Sequence, residues 1–235
     1  MNKKTIQYNF KLNDLHEIFD IELDEENLNF LGADHDAPPS WTRLDYNQCP
    51  NCPLTLETHP YCPLAVNLIN LVTRFERLIS YDEIELTVVT EERIIMQTTT
   101  AQRGISSLMG LLIATSGCPH TFFFKPMARF HLPFASIEET VTRTTSMYLL
   151  AQYFINNEGG EPDLELKGLL EIYQNIQTVN QHIAHRLREV TEKDSVVNAI
   201  ILLDTYAQYL PDLIERSLKR FRFLFKPFLS HQQER

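Results

Sequence analysis

The run Ile94-Ile-Met-Gln-Thr-Thr-Thr100-Ala-Gln-Arg-Gly-Ile-Ser-Ser-Leu-Met-Gly-Leu-Leu-Ile-Ala-Thr115 holds the change of period on which the fold turns. Up to Thr100, Ile94, Met96 and Thr98 recur every second residue, the spacing of a strand with one buried face. From Ala101 the period becomes helical, and Leu108 through Ala114 is apolar almost all round, which predicts a central, buried helix. Toward the N-terminus, Ile84, Leu86 and Val88 with Glu91-Glu92 at the turn complete a hairpin. Ile6, Tyr8, Phe10 and Leu12, then Phe19, Ile21 and Leu23, flank Asn13-Asp14 as another. Between the hairpins, Leu64, Leu68, Leu71, Val72, Phe75, Leu78 and Ile79 keep helical spacing. Pro63 suits the first helical position and puts Cys62 at the N-cap.

Beyond Thr115 the chain reads as helices only. Gly117 ends the central helix and delivers Cys118; the loop 121–135 that follows is rich in aromatic and basic residues. Ser136-Ile-Glu-Glu139 is a capping box that opens a helix reaching about Asn156. Leu166, Leu169, Tyr173, Ile176, Asn180, Ile183, Leu187 and Val190 step by threes and fours, a bundle seam. Asp194 is expected to cap a helix with Val197, Ile200, Leu203 and Ala207 inward, and Pro211 to begin the last helix, with Asp212 and Glu215 in its first turn. Near the end, Phe221, Leu224, Phe225 and Phe228 share one side. They are expected to pack on a core, with an exposed partner-binding patch as the rival reading. The predicted class is α+β: a ββαββ sheet domain over residues 1–99 and a bundle of about five helices over 100–235, packed together.

With 21 basic against 31 acidic side chains the net charge is −10. That argues against nucleic acid or an anionic membrane as a general partner, because such binding rests on basic surface. No apolar run approaches the ~20 residues that cross a bilayer, and the first residues lack a signal-peptide stretch. The expectation is a soluble cytoplasmic protein, whose four cysteines in a reducing compartment point to a metal, a reactive thiol or plain burial.

Those cysteines stand in Cys49-Pro-Asn-Cys52-Pro, Cys62-Pro and Gly117-Cys118-Pro119-His120, each followed by proline. Four thiolates are the soft tetrahedral set that zinc prefers. An iron–sulfur cluster needs the same four sulfurs and often has proline after a ligand. His59 or His120 could replace Cys118 as fourth ligand, and four reduced thiols shaped by Pro turns need no metal at all. The shared proline ties Cys118 to the other three, so zinc on Cys49, Cys52, Cys62 and Cys118 is the expected site, with the cluster as alternative.

A second constellation is Cys118, His120, Arg129 and His131, with Arg103 upstream. Cations beside a thiol lower its pKa and could make Cys118 a nucleophile with His120 or His131 as base. No catalytic signature surrounds it, so the reading leans away from an enzyme. His182 and His185 lie at i and i+3 away from the seam, and no Glu-x-x-His pair points inward for a di-iron bundle. Asn180 on the seam reads as a register-setting polar residue.

Taken together, Pro39-Ser-Trp41-Thr-Arg-Leu-Asp45, the cysteine motifs, Cys62-Pro-Leu-Ala-Val-Asn67, Ala114-Thr-Ser-Gly-Cys118-Pro-His120 and Pro126-Met-Ala-Arg-Phe-His-Leu-Pro-Phe134 resemble an uncharacterised bacterial protein family, a domain of unknown function, over nearly the full length. The resemblance implies a bacterial, cytoplasmic protein and brings no activity or site. The residues alone point to a metal-stabilised protein that binds a protein or small-molecule partner. A redox sensor and an enzyme at Cys118/His120 are the alternatives.

Overall fold

The computed structural model describes residues 2–32, 35–75 and 78–230; the last five residues of the expected bundle and the Glu215 side chain lie outside that description. Strands β1 (Lys3–Leu12) and β2 (Leu15–Asp24) form the first hairpin, and β3 (Glu83–Val89) and β4 (Ile94–Thr100) the second. All pairs are antiparallel and the order is β2-β1-β3-β4. The tight link between β1 and β2 uses Asn13 at φ 50, a left-handed conformation that a short polar side chain tolerates. Because side chains alternate along a strand, Ile6, Tyr8, Phe10, Phe19, Ile21, Leu23, Ile84, Leu86 and Val88 all reach one face and are buried.

The fourth strand departs from expectation. Ile94 and Met96 are exposed rather than inward. The register sets Met96 opposite Thr87 and Ile95 opposite Val88, so Ile94, Met96 and Thr98 lie on the solvent face. The period of two was correct, but on an edge strand the apolar set does not decide which face turns inward.

Helices α1 (Pro63–Asn67) and α2 (Ile69–Phe75) cover the sheet, broken between them at Leu68. Phe75 sets its ring 4.7 Å from that of Phe10, both fully buried; each such burial stabilises by about 1.5–3 kcal/mol. Helix α3 (Ala101–Ala114) lies on the same face, so close that a Cβ at Gly104 would stand 2.7 Å from Ile84 Cδ1. One core cluster joins strand residues to Ile105, Leu108 and Leu112 of α3, to Val179, Ile183 and Leu187 of α6 (Lys167–Arg188), and to Val196 and Ile200 of α7 (Ser195–Phe221). A second cluster links Val141 of α5 (Ile137–Asn157) with Leu169, Tyr173 and Ile176 and with Ala207, Leu210 and Ile214.

The capping box at Ser136 is present, with Ser136 Oγ accepting from the Glu139 amide and Glu139 accepting from the Ser136 amide. Asp194 stands at the N-cap of α7 without capping it; its carboxylate accepts from the Ser80 amide at 3.0 Å instead. Pro211 does not start a helix, since α7 runs through it. A proline inside a helix costs ~3 kcal/mol. Leu210 and Ile214 lie buried on either side of Pro211, and their burial offsets that cost.

The short helices α4 (Lys125–Arg129) and α8 (Lys226–Ser230) complete the chain. Leu224, Phe225 and Phe228 are exposed and Phe221 is half-buried, so the expected core packing is not found beyond Phe221. Its turn and α8 make their main contacts with each other and with the end of α7. Among the described residues no single helix is long and apolar enough to cross a membrane.

Candidate functional site

The cysteine loop, between β2 and α1, has little regular structure of its own: a 3-10 turn at Ser40–Thr42 and a bridge pairing Arg43 with Tyr61. The bundle holds it in place. Arg186 of α6 is 1% exposed; its Nη1 donates to the carbonyls of Trp41 and Arg43, both at 2.7 Å, and its Nη2 to that of Leu44 at 3.1 Å. Asn51 Nδ2 donates to Asn175 Oδ1 at 2.9 Å, and His120 Nε2 donates to the Asn51 carbonyl at 2.7 Å. The Tyr46 hydroxyl donates to Glu189. Arg186 was not singled out from the sequence. The available signal was its spacing, three residues after Ile183 and seven after Val179 on an apolar face.

Each cysteine is set by its own local turn. The Cys52 amide closes a turn on the Cys49 carbonyl at 3.0 Å. Cys62 is the N-cap of α1, with Pro63 at its first position, and the amides of Leu64 and Ala65 face its sulfur. Gly117 takes φ 75 beyond α3, and a Cβ there would lie 4.0 Å from Pro63 Cβ, so the turn before Cys118 sits on the proline after Cys62. Cys118 then stands at the N-cap position of a 3-10 helix at Pro119–Phe124, with the His120 amide facing its sulfur.

The four thiols share one electrostatic neighbourhood. Burial pushes Cys118 up to about 12, the His120 amide opposes the rise, and the charges of Cys62, Cys49 and Cys52 add to it. Cys49 is likewise pushed up to about 12, by burial first and then by Cys62 and Cys52, with Arg186 pulling the other way. Burial also raises Cys62, against the Ala65 amide and Arg186. Among the described residues no three His, Cys, Asp or Glu side chains already stand as a metal-holding group. The arrangement supplies four soft donors, amides aimed at sulfur, and a buried cation with no carboxylate in ion-pair contact among the described residues.

His59 is exposed, its Nδ1 in contact with Thr58 Oγ1 at 2.9 Å. The second constellation goes to separate partners. His120 serves the cysteine loop, whereas His131 Nε2 meets the Tyr8 hydroxyl of β1 at 2.5 Å. Arg129 lies over the Phe130 ring and Arg103 is exposed. His182 touches the Asn47 carbonyl at 3.3 Å and His185 is exposed.

A family model described as "Domain of unknown function (DUF6901)" matches residues 5–226, and the chain belongs to that family. No curated protein and no solved structure matches the chain.

Proposed function

We propose that this DUF6901 protein binds one zinc ion through Cys49, Cys52, Cys62 and Cys118, and that it acts as a binding protein rather than as an enzyme. The ion staples the cysteine loop and the Gly117 turn to the sheet and bundle. One observation carries the reading: the fully buried Arg186 guanidinium lies within electrostatic reach of Cys49 and Cys62, has no carboxylate in ion-pair contact among the described residues, and reaches the exposed Asp45 carboxylate, already paired with Arg43, only at longer range. A buried charge with no counter-charge in close contact costs several kcal/mol. Four thiolates on a divalent ion carry two net negative charges, which Arg186 complements. The amides facing Cys62 and Cys118 also favour thiolate over thiol. Binding draws the sulfurs closer than they stand without the ion. Cys118 and His120 are poorly suited to nucleophilic chemistry, since the thiol is buried and the imidazole is committed to the Asn51 carbonyl.

The same amide contacts suit an iron–sulfur cluster, which is the second reading. Elemental analysis and a visible spectrum of untagged protein purified without oxygen separate the two. One zinc per chain and no colour is the expected result. Iron with sulfide and a brown colour would replace zinc by a cluster, and neither metal would overturn both readings. Cys52→Ser is expected to abolish metal binding and lower the melting temperature by several degrees, a loss on the order of several kcal/mol. A Cys52→Ser protein as stable as the parent would remove the stapling role.

A further inference from the structure

A cavity of about 270 Å3, mostly apolar and partly open to solvent, lies between α3, the stretch 119–135, α6 and α7. Leu111, Ile176 and Leu203 line it, and Gly110 leaves it room, since a Cβ there would meet only Leu203, at 3.8 Å. Asn180 also lines it. The residue is buried as a whole, and its side chain makes no hydrogen bond to another described residue. An amide on a cavity wall without a protein partner is satisfied by whatever fills the space.

A second cavity of about 190 Å3 adjoins the first, sharing His131, Leu132 and Arg143 with it. Its character is opposite. Lys4, Arg93, Arg129 and Arg143 line it against the single carboxylate of Glu92, which is already paired with Lys4 at 3.0 Å. None of the three arginines has a carboxylate in ion-pair contact among the described residues, in a chain whose net charge is −10. Arg143 is held in place by donating from Nη2 to the carbonyls of Met127 and Phe130. Together the two volumes reach the roughly 300–1,000 Å3 of small-molecule sites.

We propose that the two cavities are one site for an anionic amphiphile, a carboxylate or phosphate monoester on an unbranched apolar chain, with its head among Arg93, Arg129 and Arg143 and its chain in the apolar cavity beside Asn180. The proposal rests on the reading of the chain as a binding protein and not on the metal, because no cysteine lines either cavity. His131, at the junction, is held neutral by burial and by Arg143, so it offers a hydrogen bond without adding charge. The arginines therefore supply the selectivity for an anion.

The test is calorimetric titration of the full chain, its metal content measured, with decanoate, decyl phosphate, decanol and inorganic phosphate. At least one of the two anionic amphiphiles is expected to bind, and whichever is tighter identifies the head. Decanol is expected to bind about tenfold more weakly or less, the loss from one charge-assisted hydrogen bond. Gly110→Leu fills the apolar cavity from a helix that gains propensity by losing its glycine. It should abolish binding while leaving metal content and melting temperature at or above those of the parent. Arg93→Gln with Arg129→Gln should bring decanoate and decyl phosphate down to the decanol level. The proposal is overturned if neither anion binds, if decanol binds equally, if inorganic phosphate alone binds as well, or if Gly110→Leu binds like the parent.

Discussion

The cysteine loop and the C-terminal end of the chain are opposites in both backbone and burial. The loop is mostly irregular, yet Thr42 and Leu44 are buried and the carbonyls of Trp41, Arg43 and Leu44 are engaged by Arg186. The C-terminal end is helical through most of its length, yet Phe223 and Phe228 stand 59% and 73% exposed. Regular hydrogen bonding satisfies a backbone but anchors nothing; anchoring comes from contacts made far along the chain.

The contrast can be broken most strongly at Arg186. Arg186→Met keeps apolar bulk but leaves the carbonyls of Trp41, Arg43 and Leu44 without their donor. Urea unfolding is expected to show a loss of about 3–5 kcal/mol. A loss below ~1 kcal/mol, the scale of one neutral hydrogen bond, would mean that the loop holds itself.

A pH dependence sharpens the contrast next. His131 anchors the stretch 119–135 to β1 through Tyr8, and burial, aided by Arg143, pushes it down to about 3. Between pH 6.5, where the unfolded imidazole titrates, and about 3, the unfolded chain binds a proton that the folded chain does not. Stability therefore falls as pH drops through that window, with a limiting slope of about 1.4 kcal/mol per pH unit. His131→Gln should flatten the stability–pH curve by that slope relative to the parent. Parallel curves for the two proteins would show that His131 is free to protonate.

The smallest effect is expected at the free end. Phe223→Ser, Phe225→Ser and Phe228→Ser should each shift stability by no more than about 0.5 kcal/mol, as exposed positions do. A loss of several kcal/mol from any one of them would show that this end is covered in solution.

The same contrast explains what could be read in the residues alone. Alternation at Ile6, Tyr8 and Phe10, the capping box at Ser136 and the N-cap at Cys62 were legible because each is decided within a few neighbouring positions. The solvent-facing side of β4 and the unbroken α7 at Pro211 were not, because both depend on which elements pack alongside. Proline after all four cysteines is the feature of the sequence that ties Cys118 to the other three. The partner of the loop was invisible, since Arg186 meets its carbonyls across 142 to 145 residues of sequence.

That separation also orders events during synthesis. A ribosome adding about 5–20 residues per second takes roughly 6 to 25 s to pass from Cys62 to Arg186. Over that interval the nascent loop holds three cysteines with neither Cys118 nor the guanidinium in final position for much of the time. Its carbonyls have only water to bond. The N-terminal hairpin can form early, but the loop beside it is completed only when α6 arrives.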